Sequence, residues 1–544
     1  MGKRSKGTAP DIIVVGGGSA GIGCAVRIAE GGLRVLLLEA GKSHKDIRST
    51  IPALMSGIVH TPAFDWMYKA EPDASVGGRP DVWPAAKRLG GGSSINGMMF
   101  IRGHRWDYDR WAELGATGWD YDSVLPYFRR LEDNERGEDD WRGTGGPIGV
   151  SEVRSAYEIT DKWIAAAQEA GIRRSKDLNG EIAEGVDYIQ LSQRKGLRSS
   201  TASGYLANKP DNLEIELEAN VTGVVMEGGR ATGVRVRRGT VEEVLPARRG
   251  VVLSAGALNT PRLLMLSGIG PAEHLRELGV EVAIDVPGVG GNLQEHSGVH
   301  LVNEVAANTL NDESRGLDGV KSALSFLVGR KGALTTGIGH AQAFVKSRKS
   351  LPVPNLQLAF SAFAFDVTPQ GNLKLRETSS VSTFVALMRP ETRGRITLRS
   401  PDPASAPKIE FALLGSDDDA MQLVEGLQIA RRIMEQHAVA GLVTGEVRPG
   451  AEAKDAEQLL GYVRAATIPM YHPVGTAKMG APNDPMAVTG PDCLVRGTRN
   501  LWVADASIMP TIPQGNTNAT CIMIGERASD LIVDRVREDM VALA

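Results

Sequence analysis

The sequence predicts a mixed α/β protein in which a parallel-sheet domain is interrupted by a second domain built on an antiparallel sheet and helices. Three observations predict it. A strand–helix–strand pattern with a glycine-rich turn occupies residues 11–41, short apolar β-prone runs occur at 356–365 and 381–388, and a buried-strand pattern returns at 501–504. Because that last run is typical of a strand of the first domain, the first domain must be discontinuous in sequence.

The first pattern begins with a β-branched apolar run, Ile12–Val15, which has the length of a buried strand. Gly16 allows a tight turn, Gly18 lets the backbone approach a pyrophosphate, and Gly21 lets the following helix pack close to the strand. The pyrophosphate would lie at the positive end of the helix dipole. Glu39, at the end of the second strand, is placed to accept hydrogen bonds from both hydroxyls of an adenosine ribose. The pattern favours a Rossmann-like dinucleotide-binding domain over a plain βαβ turn.

Composition excludes several classes of protein. The 544 residues suggest about three or four domain-sized units. A formal net charge of −4 gives no basic field for nucleic acid. Three scattered cysteines without a CxxC pattern predict neither a disulfide framework nor a metal site, and they favour a reducing compartment.

The sequence also bears on membranes and targeting. The basic segment MGKRSKGTAP is not followed by an apolar stretch before the first strand, so we expect no secretory signal peptide. No run of about 18 uncharged apolar residues occurs, so we expect no membrane-spanning helix. These observations predict a cytoplasmic protein and leave peripheral membrane contact and oligomeric state open.

A second glycine cluster, LGGGSSINGM at 89–98, follows an irregular stretch at 42–85 that is rich in Pro, Ser, Asp and Trp. Its consecutive backbone N–H groups form a nest, with two cations just before it. A flexible loop is the simpler interpretation. The Ser and Asn residues, followed by Met98, Met99 and Phe100, favour a cofactor cradle beside an apolar pocket.

The middle of the chain predicts the remaining elements. Short strands are expected at 213–236 and 251–254, followed by a helix at 260–266 with Pro261 near its start. The polar segment 306–325 is expected to be a surface loop or lid. With Arg395 to Arg399, the β-prone runs noted above suggest the antiparallel sheet, and an amphipathic helix follows at 421–438.

The C-terminal region carries further signals. It contains IPMYHPVGTAKMG at 468–480, the strand 501–504 ending in Asp505, QGNTN at 514–518, and a segment of helical character at 519–532. A carboxylate at the end of that strand can accept hydrogen bonds from ribityl or diphosphate-side hydroxyls.

Together these motifs resemble the glucose–methanol–choline oxidoreductase family over nearly the whole chain. The motifs that carry the resemblance are GGGSAG (16–21), LGGGSSINGM (89–98), SAGALNTPRLLMLSGIG (254–270), GVGGNLQEH (288–296), YHPVGTAKMG (471–480) and VADASIMP with GNTN (503–518). The resemblance is strongest to bacterial alcohol, choline and polyethylene-glycol dehydrogenases and to aryl or furanic alcohol oxidases. It implies FAD as cofactor and an alcohol as substrate.

The resemblance also implies site residues. His472 matches the catalytic histidine of the family and Asn516 the second catalytic position. A neutral imidazole suits a base that removes the hydroxyl proton as hydride leaves for flavin N5; a lone histidine would otherwise more simply be a satisfied buried one. The FAD-binding residues expected from the matching motifs are Gly16, Gly18, Ser19, Gly21, Glu39, Ala40, Gly91, Ser93, Asn96, Gly97, Met98, Val221, Ala255, Asp505, Ala506, Asn516 and Thr517.

Four positions depart from the family pattern. Some members attach FAD covalently through a histidine at the position of Ile95, which cannot form that bond, so we predict non-covalent FAD. Gly92 and Gly97 stand where Ser or Ala is common, which changes the space near the flavin. Glu295 stands where Asp is usual, and the sequence gives no reason for it.

The domain assignment follows from these motifs. Residues 8–155, 197–305 and 488–540 are predicted to bind FAD, and residues 156–196 and 306–487 to bind substrate.

The leading hypothesis is oxidation of a primary alcohol in a fairly apolar pocket, with O2 or a quinone or other carrier as electron acceptor. A lyase on the same scaffold (hydroxynitrile lyase or fatty-acid photodecarboxylase), a non-catalytic flavoprotein and a nicotinamide-dependent reductase are alternatives. The identity of the alcohol stays open.

Overall fold

The computed structural model describes residues 9–155, 157–367 and 373–542. Residues 1–8, which belong to the basic N-terminal segment and to the edge of the predicted FAD domain, lie outside the described residues. The helices of seven or more residues are α1 (Ser19–Glu30), α2 (Arg105–Glu113), α3 (Tyr121–Leu131), α4 (Glu158–Glu169), α5 (Thr260–Leu266), α6 (Gly316–Gly329), α7 (Asp417–Met434), α8 (Ala456–Ala466) and α9 (Asn518–Ala542).

Fifteen strands form the three largest sheets of the described residues. These strands are β1 (Ile12–Val15), β2 (Val35–Glu39), β3 (Gly185–Tyr188), β4 (Leu213–Leu217), β5 (Asn220–Glu227), β6 (Arg230–Arg238), β7 (Val241–Pro246), β8 (Gly250–Leu253), β9 (Ser297–Val305), β10 (Ala341–Val345), β11 (Leu356–Ser361), β12 (Ser380–Leu387), β13 (Val443–Arg448), β14 (Ile468–Pro469) and β15 (Leu501–Val503).

The first sheet is parallel, with strand order β4-β2-β1-β8-β15. Its central strands are buried apolar runs, as expected for a sheet covered on both faces. The C-terminal strand β15 joins it by pairing Val252 with Trp502. This pairing confirms the predicted α/β fold with a discontinuous parallel-sheet domain. Helices α1 and α9 pack so closely that a β-carbon on Gly525 would lie 2.2 Å from the Ala20 carbonyl oxygen.

The second large sheet has strand order β13-β9-β12-β11-β10-β3, with β14 pairing beside β13 on β9. All of its pairings are antiparallel. Strand β9 therefore belongs with this sheet, although the sequence-based boundary at 305 places it in the other domain. Arg395–Thr397, expected near this sheet, pairs instead with Lys408–Glu410 in a separate ladder.

The segment 306–325, expected to be a loop or lid, is mostly helical. It contains a short helix, Leu310–Glu313, and the first part of α6. The short helix starts at a capping box, in which the Asp312 carboxylate accepts a hydrogen bond from the Thr309 backbone N–H at 2.9 Å. Its capping residues are the same polar residue types that favour loops, which explains the wrong expectation.

No helix in the described part of the chain has both the length and the apolar character needed to cross a bilayer. The described residues also contain no cluster of His, Cys, Asp or Glu side chains that would bind a metal ion.

Candidate active site

A single cavity of about 1020 Å³ is lined by residues from both large sheets. On one side lie the ends of β1 and β2 and the two glycine clusters, and on the other lie residues of β9, β11 and β12. All of the residues that the sequence predicts for FAD binding line this cavity except Gly21 and Ser93. The candidate catalytic residues His472 and Asn516 also line it.

The first glycine turn is shaped by close backbone contacts. Gly16 has a φ of +105°, and a β-carbon there would lie 2.3 Å from the Ser254 carbonyl oxygen. A β-carbon on Gly21 would lie 2.0 Å from the Gly16 carbonyl oxygen. Gly21 therefore lies beneath the turn, where it brings α1 close to β1. The start of α1 at Ser19 leaves first-turn N–H groups without helical partners, which suits a phosphate group.

Glu39 lies at the end of β2 with both carboxylate oxygens facing backbone donors. Oε2 accepts from Gly17 N at 2.9 Å and Oε1 from Gly41 N at 2.6 Å. Burial raises the pKa of this carboxyl, and these two N–H groups act in the opposite direction by stabilising the charged form. Each oxygen retains a lone pair, so the geometry suits the ribose contact that the sequence predicts.

The second glycine cluster touches the first. Gly90 N donates to Gly17 O at 2.7 Å, and a β-carbon on Gly91 would lie 2.5 Å from Gly18 Cα. Ser93 faces away from the cavity: its hydroxyl donates to Gly90 O at 2.6 Å and lies 3.0 Å from the Thr201 hydroxyl. The two clusters thus form one cradle, and Ser93 holds its turn closed.

Arg198, which the sequence analysis missed, supports this cradle from behind. Its guanidinium donates to Ser93 O at 3.1 Å and to Asn96 Oδ1 at 2.8 Å. Burial away from any carboxylate lowers its pKa to about 9. No sequence signal distinguishes this arginine, because its partners lie about a hundred residues earlier in the chain.

The Asp505 carboxylate is hydrogen-bonded to several groups of the protein itself. It accepts hydrogen bonds from Gly256 N at 2.8 Å, the Thr260 hydroxyl at 2.6 Å, and both the backbone N–H and the hydroxyl of Ser507. Four donors occupy the four lone-pair sites of a carboxylate. Asp505 therefore caps the turn Ala506–Ile508 and joins it to the end of β8; it also lines the cavity, and its contact with the cofactor stays a prediction.

His472 belongs to a chain of hydrogen bonds that fixes its tautomer. His296 Nε2 lies 3.2 Å from Met388 O, which can only accept, so His296 carries its hydrogen on Nε2. Burial lowers the pKa of His296 well below its usual value, so the ring is neutral and its Nδ1 is an acceptor. His472 Nδ1, 3.1 Å away, must then donate to it.

This arrangement leaves His472 Nε2 without a hydrogen, so that it is a hydrogen-bond acceptor. Burial lowers the pKa of His472 to about 4, so its ring is also neutral near pH 7. Asn516 Nδ2 lies 3.2 Å from Nε2 and donates to it. His296 is a second residue that the sequence analysis missed as part of this group, although the motif GVGGNLQEH contains it.

Glu295 binds the backbone of the loop that carries His472. Its Oε1 accepts a hydrogen bond from His472 N at 2.7 Å, which holds the loop that carries His472. Its Oε2 is buried without a partner in the described part of the chain. Burial raises the pKa of this carboxyl well above its ordinary value, and the backbone hydrogen bond from His472 acts in the opposite direction.

The Ile338 side chain, which belongs to the second domain, fills the space beside Gly97. A β-carbon on Gly97 would lie 2.5 Å from Ile338 Cγ2, so this glycine leaves room for the Ile338 side chain. Ile338, Met98 and Met99 line the cavity near His472 and give it an apolar wall.

Comparison with known proteins decides the family. Family models described as GMC oxidoreductase match residues 10–298 and 390–525. The chain belongs to the GMC oxidoreductase family. This family member is similar to oxygen-dependent choline dehydrogenases from Brucella suis biovar 1 (37% identical over 529 residues) and Rhizobium etli (38% over 535 residues), with 96% of each chain covered in both cases.

Solved structures agree with this assignment. The GMC oxidoreductase fold here is similar to pyridoxine 4-oxidase from Mesorbium loti, with a TM-score of 0.85 and 27% identity over 96% of this chain and 98% of that one. It is also similar to formate oxidase from Aspergillus oryzae RIB40, with a TM-score of 0.89 and 26% identity over 98% and 100%. This GMC oxidoreductase is therefore an FAD-dependent enzyme that acts on CH–OH donors.

Proposed function

We propose that this enzyme binds FAD non-covalently and oxidises a primary alcohol to an aldehyde, with His472 as the general base. The observation that carries the proposal is the chain Met388–His296–His472, whose hydrogen-bond directions make His472 Nε2 an acceptor beside Asn516 in the cavity lining. The electrons then pass to O2 or to a quinone or other carrier.

The residues present fit FAD. The cradle of the two glycine clusters accommodates a pyrophosphate because side chains there would meet backbone atoms, and the start of α1 supplies N–H donors. Glu39 keeps lone pairs for the adenosine ribose. We assign the parallel-sheet part to FAD and the antiparallel sheet, including β9, to the substrate.

In the proposed reaction bound FAD supplies the hydride acceptor at its N5. His472 Nε2 removes the hydroxyl proton as the hydride leaves the carbinol carbon, so the C–O single bond becomes a carbonyl. The Asn516 amide donates to the alcohol oxygen and orients it. His296 keeps the hydrogen of His472 on Nδ1, so that the proton can only be received at Nε2.

The type of reaction can be tested by identifying its product. The holoenzyme is incubated with primary aliphatic, aryl and amino alcohols, and carbonyl products are trapped as hydrazones. We expect aldehyde to form in proportion to the acceptor consumed. Carbonyl release from a cyanohydrin without acceptor consumption, together with no aldehyde from any alcohol, would support a lyase instead.

The pH dependence follows from the pKa of His472. A lowered pKa keeps the imidazole unprotonated across pH 5 to 8, so kcat/KM should be flat there and should fall as the pH drops through about 4, where Nε2 becomes protonated. Brief exposure by pH-jump mixing, followed by return to pH 7, separates this titration from acid unfolding. A break above pH 6 would contradict a buried neutral base.

Non-covalent binding can be checked directly. Ile95 is buried against Ile58 and Phe64, and its aliphatic side chain has no atom that can bond to the flavin. Acid precipitation of the purified enzyme should leave the yellow colour in the supernatant. A yellow pellet after washing would contradict the proposal.

A further inference from the structure

The cavity extends from His472 along one face of the antiparallel sheet. Gly298 and His300 alternate along β9, so these two positions face the same side of the sheet, and His296 immediately precedes the strand. His296 contacts His472, and His300 lines the same cavity four residues further on. Four residues of an extended strand span roughly 13 Å. With about 3 Å taken by a hydrogen bond to His300, an oxygen bound there would lie roughly 10 Å from the reacting end.

The wall between these two points is apolar. The Phe384 ring lies over Gly298, where a β-carbon would be 2.6 Å from it, and Ile468 of β14 pairs beside Gly298. Opposite the sheet, α6 contributes the small residues Gly319 and Ala323 to the lining. This part of the cavity, which we call the substrate arm, suits a hydrocarbon chain or ring.

His300 is a polar residue of the substrate arm. Its Nδ1 lies 2.8 Å from the Ser382 hydroxyl, and its ring packs against Phe384 with 4.6 Å between centroids. Its Nε2 has no partner in the protein among the residues that the structure describes, and it is not sealed in the core. Burial, with a smaller effect of Arg448, lowers its pKa to about 4, so the ring is neutral.

The substrate arm offers little to a cationic substrate. Glu313 is the carboxylate that lines this side of the cavity in the described part of the chain. Its two oxygens accept hydrogen bonds from Tyr157 Oη at 2.9 Å and Asn308 Nδ2 at 3.1 Å. Lys374 lines the cavity as well and offsets the charge of Glu313, so we infer that a neutral substrate is favoured.

We propose that His300 is a specificity-determining residue, whose Nε2 hydrogen-bonds a distal oxygen of an elongated, neutral primary alcohol. The oxygen is a hydroxyl, ether or carbonyl roughly 10 Å from the carbinol, or roughly eight bonds along an extended chain. This inference rests on the proposed alcohol oxidation and names the substrate class for it.

The test compares substrates that differ only in the distal oxygen. For the wild-type holoenzyme, kcat/KM is measured for α,ω-diols and 1-alkanols from four to ten carbons, corrected for the two equivalent ends of a diol. The diol-to-alkanol ratio should peak near eight carbons. A ratio without a maximum contradicts the role of His300, and this result needs no variant.

Variants of His300 then test whether this residue causes the maximum in the diol-to-alkanol ratio. His300→Leu should lower the ratio at the optimal length by roughly three- to tenfold, mainly through KM, while flavin content and ethanol oxidation stay unchanged. His300→Gln, which keeps a hydrogen-bonding group, should restore part of the ratio, and His437→Leu at an exposed position should leave it unchanged. An unchanged ratio in His300→Leu overturns the inference alone, whereas failure to oxidise any alcohol overturns the proposed function as well.

Discussion

Replacing His472 by alanine is expected to lower the rate of flavin reduction by an alcohol by roughly 10²- to 10⁴-fold. In this variant the proton of the substrate hydroxyl loses the acceptor that His472 Nε2 provides. FAD binding should persist, since the cradle is formed by the glycine clusters and Glu39. Stopped-flow absorbance under anaerobic conditions measures the rate directly.

The control for this variant is His437→Ala. His437 is exposed on a short helix away from the cavity lining, so its loss should change neither flavin content nor rate. If His472→Ala binds FAD and keeps near-normal turnover, His472 is not the base. A variant that loses its flavin as well would instead give His472 a structural role.

Replacing Gly91 by alanine is expected to weaken FAD binding by roughly 30- to 5000-fold. Gly91 has a φ of +52° and its β-carbon would lie 2.5 Å from Gly18 Cα, so the two glycine clusters must separate where the pyrophosphate lies between them. Backbone strain of about 1–2 kcal/mol and overpacking of about 1–3 kcal/mol give this range. Flavin content after purification, and fluorescence titration of the flavin-free protein, measure the loss.

Gly461→Ala is the matched control. Gly461 lies in α8, and a β-carbon there meets nothing within 4 Å, so the same chemical change should leave FAD affinity intact. Full flavin content in Gly91→Ala would show that the two clusters do not form the proposed cradle. Circular dichroism of both variants separates loss of flavin from loss of fold.

The sequence predicts those parts of this molecule that depend on local signals. The strand β1, the glycine turn and Glu39 lie within one segment of about 30 residues, so their spacing alone indicates the fold of the parallel sheet. The motif of β15 likewise indicates a return to the first domain. The helix in 306–325 was missed because polar capping residues have the composition of a loop.

Contacts distant in sequence could not be predicted. His296 meets His472 across 176 residues, and Arg198 meets Asn96 across 102. Gly256 and Thr260 donate to the Asp505 carboxylate across 249 and 245 residues, and the local motif of Asp505 does not indicate them. Such pairings depend on the tertiary arrangement of both domains, which residue type and local spacing do not encode.

The central claim is that an alcohol reduces the bound flavin, and anaerobic titration of the yellow holoenzyme tests it most directly. Primary, aryl and amino alcohols and the eight-carbon diol are added while the flavin absorption band is recorded. We predict that a neutral primary alcohol bleaches the band, and the rate at which colour returns in air then distinguishes an oxidase from a dehydrogenase. A band that stays unchanged with every alcohol would contradict the account.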